Sequence, residues 1–171
     1  LMAQGIRSIN NIVDIGNYIM ILTGQPIHMY DMDKCQSSSF IVKKGYNSSL
    51  VALDQKEYKV DENDIVVTNN NEIVCLAGIM GCESVAVDEN SVNIGIESAN
   101  FKGATVRRTT VKTGLSSDSS AHFIKGINPY QDEFVLDLTA SLLKELADAQ
   151  VIETSSRYNE IGTNNIQISC S

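Results

Sequence analysis

Apolar residues near the N-terminus of this chain recur at helical spacing. Ile9, Ile12, Val13, Ile19 and Met20 would share one stripe, which predicts an amphipathic helix. Ser8 stands just before the stripe as a candidate cap. Gly24 sits where such a helix should stop, and Pro26 cannot continue it. Two polar residues fit the stripe poorly. Asn17, four residues after Val13, falls at the edge of the apolar face, and His28 follows an extended Gly-Gln-Pro turn. A helix that ends in a turn carrying a histidine can aim two side chains into one cleft.

From residue 40 onward the period shortens. Segments 40–44, 50–54, 57–60, 64–68, 72–79 and 92–98 read as strands. A tight connection at 54–56 makes the second and third a hairpin, and the run Asn69, Asn70, Asn71 turns the fourth into the fifth. Asn100 is a candidate cap for a short helix to about Lys112, which Gly114 would end. Asn128 and Pro129 mark a further helix start, with Asp132 and Glu133 in its first turn. Val135, Leu138, Leu142, Leu146 and Ala149 would form its buried stripe. Segments 151–158 and 165–170 read as closing strands. Strands in blocks with helices at the ends predict an α+β domain rather than a doubly wound sheet.

The length of 171 residues suits one domain over 1–171 with a proper core. The chain opens on Leu1, which fits a piece of a longer protein. No stretch approaches the roughly 18 apolar residues of a membrane span, and no secretory signal opens the chain, so a cytoplasmic location is expected. Cys35, Cys75, Cys82 and Cys170 lack metal-type spacing and read as free thiols. The formal charge of −8, from 13 basic and 21 acidic residues, opposes a strong phosphate grip. Arg107 and Arg108 are adjacent and fit a solvated helix face better than an RNA contact. His28, Asp31 and Asp33 could ligate a metal by residue type, but no further histidine motif supports that, and no metal is expected.

Several blocks resemble one family. Ile9, Asn10, Asn11, Val13, Asp14, Asn17, Tyr18, Met20, Gly24, Gln25, Pro26, His28 and Asp31 match, in order, a pattern of the editing domain of the bacterial phenylalanyl-tRNA synthetase beta subunit. LAGIMG at 76–81, IESANF at 96–101, TVRRTTVKTGLSSDSS at 105–120 and GINP at 126–129 are similar to further blocks of that family. The resemblance covers about residues 7–130. It implies a three-layer domain, a beta-sandwich with a helical layer. It also implies hydrolysis of tyrosine wrongly attached to tRNA for phenylalanine. The parent would be an alpha2-beta2 enzyme with aminoacylation in its alpha subunit. ATP and magnesium would serve the parent, with no cofactor in this chain.

The same resemblance assigns roles. Glu97 matches the glutamate that accepts tyrosine's para-hydroxyl, and Gly78, after Ala77, matches a glycine lining that pocket. A carboxylate suits this task because it gives a short, charge-assisted bond. Its unpaired cost with phenylalanine favours the wrong amino acid selectively. His28 and Asn17 match the reaction side, where water is oriented and the oxyanion stabilised. An aminoacyl ester is already activated, so no nucleophilic side chain is required, and none of the G-x-S-x-G type occurs.

Departures stand beside these matches. Gly16 replaces a threonine, Ser117 a pocket threonine, Ser119 an alanine beside the substrate ring, and Cys82 a glycine. HFIKG at 122–126 replaces R-F-E-R-G. These changes predict an intact fold with weak or absent hydrolysis, the alternative to an active editing domain being a structural or tRNA-docking module with a degenerate, inactive site.

Overall fold

The computed structural model describes residues 1–151. The closing strands expected at 151–158 and 165–170 lie outside these residues apart from Val151, as does Cys170. The class is α+β, with four α-helices and eight strands among the described residues.

Helix α1 (Asn11–Thr23) is capped by Asn10, whose Oδ1 accepts the Val13 N–H at 2.8 Å. Ser8 is not the cap. Its hydroxyl and the Ile9 N–H are instead held by the Asp14 carboxylate, whose pKa is lowered by those two bonds. Ile9 therefore lies outside the helix and is 70% exposed. The buried positions of α1 are Ile15, Gly16, Ile19 and Met20. Gly24 ends the helix with φ +76, a conformation glycine enters without a steric cost.

The chain then forms β1 (Ile27–Asp31), where sequence suggested only a turn. Strands β2 (Phe40–Lys43), β3 (Ser48–Val51), β4 (Glu57–Val60), β5 (Val66–Asn69), β6 (Glu72–Leu76), β7 (Met80–Gly81) and β8 (Ile94–Ser98) follow. They form three antiparallel groups: β1–β8, β2–β5–β6–β7 and β3–β4. Both expected hairpins are present, and Asn70 and Asn71 turn between β5 and β6 with φ of 47 and 68.

Helices α2 (Gly103–Thr113), α3 (Asp118–Lys125) and α4 (Asp132–Ala147) complete the described domain. Asn100 does not cap α2. It starts at Gly103, where an added Cβ would lie 2.5 Å from the Phe123 carbonyl oxygen, so α3 passes against its first turn. Gly114 ends α2 as expected. Buried Asp64 anchors the same helix by accepting from Thr109 Oγ1 (2.6 Å), the Asp61 N–H (2.8 Å) and Lys112. The stripe of α4 is rotated by about one position: Val135, Thr139 and Leu143 are buried, Leu138 and Leu142 half-buried, and Leu146 exposed.

Two apolar clusters flank the β1–β8 ribbon. Ile15 and Ile19 of α1, Val135 and Leu143 of α4, and Met29 of β1 form one, with Ile27, Ile94 and Ile96 against it. Tyr30 joins the other, with Leu50, Val60, Val66, Val67, Val74 and Leu76 from strands and Phe101, Val106 and Phe123 around α2 and α3. The ribbon is thus the middle layer between the α1–α4 pair and the larger body.

Candidate active site

Antiparallel pairing sets His28 opposite Glu97, Tyr30 opposite Gly95 and Met29 opposite Ile96. Alternation along a strand then places His28, Tyr30 and Glu97 on one face of the ribbon. His28 and Glu97 come from segments 69 residues apart in sequence, and register alone makes them cross-strand neighbours.

Tyr30 touches both. Its hydroxyl donates to Glu97 Oε2 at 2.5 Å, and its ring meets the His28 ring edge-on, with centroids 4.4 Å apart and planes at 89°. Phe40 packs on the Tyr30 ring at 4.7 Å. His28 and Glu97 are half-buried. Burial lowers the His28 pKa to about 4, which leaves the imidazole neutral at pH 7. Burial raises that of Glu97, while the Tyr30 hydroxyl bond favours the carboxylate. The Cys75 thiol is pushed well above its usual value by burial and by Glu97 nearby, and it stays protonated. The Tyr30 phenol is raised as well, by burial first and then by Cys75 and Glu97.

The β6–β7 hairpin supplies the next wall. Cys75 pairs with Gly81 and Leu76 with Met80, leaving Ala77, Gly78 and Ile79 as the turn. Ala77 is buried, its N–H bonded to the Ile65 carbonyl at 3.0 Å. Gly78 has φ +72, and a Cβ there would come within 3.1 Å of Phe101, Phe123 and Val106, so a side chain would be strained and would press on all three. Gly81 carries the His28 ring on its Cα: an added Cβ would lie 2.6 Å from Nε2.

Helix α3 closes the hairpin side. Ser117 is its N-cap, accepting the Ser120 N–H at 3.1 Å, and its hydroxyl donates to the Ile79 carbonyl at 2.6 Å. Ser119 Oγ stands 3.8 Å from Met20 Sδ of α1. Asn17, one turn before Met20, is half-buried and makes no side-chain hydrogen bond with any described residue.

Gly16 faces elsewhere. A Cβ at Gly16 would lie 3.6 Å from Met29 Cε and 3.9 Å from the Ile27 carbonyl oxygen, on the α1–ribbon contact. Asp31, three residues from His28, takes bonds from Ser91 Oγ (2.5 Å) and the Asp33 N–H (3.0 Å). Among the described residues no group of three or more His, Cys, Asp or Glu is arranged to hold a metal ion. Arg108 is folded onto the Asn63 carbonyl, while Arg107 is exposed. Grooves of about 380 Å³ between α1 and α4 and about 590 Å³ along β3 and β6 involve neither His28 nor Glu97.

The motifs give Tyr30 and Gly81 no role of their own. The available signal for Tyr30 is its place two residues after His28, which matters only once β1 is a strand. Gly81 has no local signal, because its partner is 53 residues away in sequence.

The chain is 39% identical over its full length to the phenylalanine–tRNA ligase beta subunit of Streptococcus thermophilus, of which it covers 21%. It is 38% identical over 95% of its length to the corresponding subunit of Oceanobacillus iheyensis, covering 20% of that protein. It thus spans about a fifth of the length of these relatives. Among the described residues no helix is long and apolar enough to cross a membrane. The B3/4 domain family matches residues 1–148, nearly all of the fold described above, and the chain belongs to that family.

Proposed function

We propose that this chain is the editing domain of a phenylalanyl-tRNA synthetase beta subunit and hydrolyses the tyrosyl ester of tRNA for phenylalanine. The observation that carries the reading is the cross-strand pair of half-buried His28 and Glu97 on one face of the ribbon. Glu97 Oε1 accepts from no described residue, so it is available to a phenolic hydroxyl. Such an acceptor, left unpaired by phenylalanine, selects the wrong amino acid for removal.

In the proposed reaction water adds to the ester carbonyl carbon. The bond from that carbon to the ribose oxygen breaks, and the water's proton ends on the departing hydroxyl. His28, neutral at pH 7, orients the water rather than holding its proton, because a group with a pKa of about 4 is a weak base. Asn17 supplies an amide for the developing oxyanion. Gly78 with Ala77, and Ser117 with Ser119, line the ring side. The parent would be alpha2-beta2 and cytoplasmic, with ATP and magnesium confined to aminoacylation by the alpha subunit. Other domains would hold the tRNA, since this chain carries a net charge of −8.

The placement of Gly16 bears on the expected weakening. The missing threonine hydroxyl would lie at the α1–β1 contact, on the ribbon face opposite His28 and Glu97. Ser119 remains the departure that bears on the ring. The test is deacylation of tyrosyl-tRNA for phenylalanine by the whole synthetase. Glu97→Ala and His28→Ala should each slow it by about 10²–10³-fold. No hydrolysis above background in the unmodified enzyme would establish the degenerate docking module instead.

A further inference from the structure

We propose that Tyr30 is a positioning residue that fixes the carboxylate of Glu97, leaving Oε1 as the acceptor through which the site chooses a tyrosyl over a phenylalanyl group. This rests on the editing reading and adds to it the residue that sets the specificity of the acceptor.

The geometry is specific. A glutamate has three rotatable side-chain bonds, so an acceptor that must meet one hydroxyl needs an anchor. The Tyr30 hydroxyl is that anchor, at 2.5 Å from Oε2. Tyr30 is itself packed in: the residue is 2% exposed, with Phe40 tilted against its ring at 4.7 Å and His28 meeting it edge-on. Opposite it in register stands Gly95, whose missing side chain leaves room for Met32: an added Cβ would lie 2.5 Å from the Met32 sulfur. Tyr30 also touches both His28 and Glu97, and so ties together two side chains that the strand register has made neighbours. Its phenol stays protonated here, because ionisation is suppressed by burial, by Cys75 and by Glu97 itself. It therefore donates to Glu97 throughout the neutral range and favours the ionised carboxylate against the effect of burial.

Replacing Tyr30 with phenylalanine keeps the packed ring and deletes only the anchor. Binding of the non-hydrolysable 3′-tyrosylamido and 3′-phenylalanylamido analogues of adenosine to the whole synthetase, followed by calorimetry from pH 5 to 8, reads the effect without requiring turnover. The unmodified enzyme should prefer the tyrosyl probe. Tyr30→Phe should reduce that preference roughly tenfold, and the acid limb of tyrosyl-probe binding should move to higher pH. Glu97→Gln should abolish the limb, and Tyr30→Phe should change nothing further in that background. In deacylation assays the loss should appear in KM more than in kcat. Unchanged preference and an unshifted acid limb in Tyr30→Phe, with the unmodified enzyme still selective, would overturn the role of Tyr30 and leave the editing reading standing. Equal binding of both probes by the unmodified enzyme would overturn both.

Discussion

The two faces of the β1–β8 ribbon are built from the same ten residues and do opposite work. One face presents Ile27, Met29, Ile94 and Ile96 to α1 and α4. The other presents His28, Tyr30 and Glu97, three polar side chains in mutual reach. The difference comes from a period of two and nothing else. It shows how a thin element can carry a packed face and a polar face together: the apolar face fixes the backbone, and the fixed backbone sets the spacing of the polar groups. A register slip of one residue would exchange the faces and undo both arrangements.

The largest way to break the comparison is to empty the apolar side. Ile19 is fully buried against Met29, and Ile19→Ala should cost about 2–5 kcal/mol of stability, read by denaturant unfolding. The polar face should be affected only through loss of fold. Conversely, Gly81→Ala should disturb the polar face alone. The added methyl would overlap the His28 ring, so the ring must tilt away. Hydrolysis of the tyrosyl ester should fall by roughly tenfold or more, while the unfolding free energy falls by no more than about 1–3 kcal/mol. An unaltered rate would show that the position of His28 is immaterial.

pH separates the faces more gently. The His28 pKa drops from about 6.5 unfolded to about 4 folded. The unfolded chain therefore binds more protons in that window, and stability falls as pH falls through it. Lowering the pH from 7 to 5 should cost about 1–2 kcal/mol, and much less in His28→Gln. Glu97, with its folded pKa raised by burial, acts in the opposite sense, stabilising below about 4.5 and losing that contribution as pH rises through its folded value. The smallest expected effect sharpens the assignment of Gly16 to the apolar side. A methyl there finds ordinary contacts at 3.6 and 3.9 Å, so Gly16→Ala should stabilise by about 0.5–1 kcal/mol without changing hydrolysis. A lost activity would move Gly16 to the reaction side.

What the sequence determined by itself is what neighbouring residues decide among themselves. The end of α1 at Gly24, the end of α2 at Gly114 and the Asn70–Asn71 turn depend on local backbone chemistry, and each is where the residues predicted it. Caps depend on slightly more. Ser8 and Asn10 are both suitable, and Asp14, reaching back to Ser8 and Ile9, decides for Asn10. The rotation of α4, its buried line through Thr139 rather than Leu138 and Leu142, was set by what it packs on, because a helix with apolar residues on several sides has no preferred face of its own. Strand β1 was hidden because three of its five residues are polar and the other two are the apolar side of a ribbon whose partner lies near residue 96. Family motifs indicate that His28, Glu97 and Gly78 belong together, yet the contact of Tyr30 with Glu97 and of His28 with Gly81 exists only in three dimensions. Register, unlike a cap or a turn, is settled by burial across segments distant in sequence, and that is a property of the folded molecule alone.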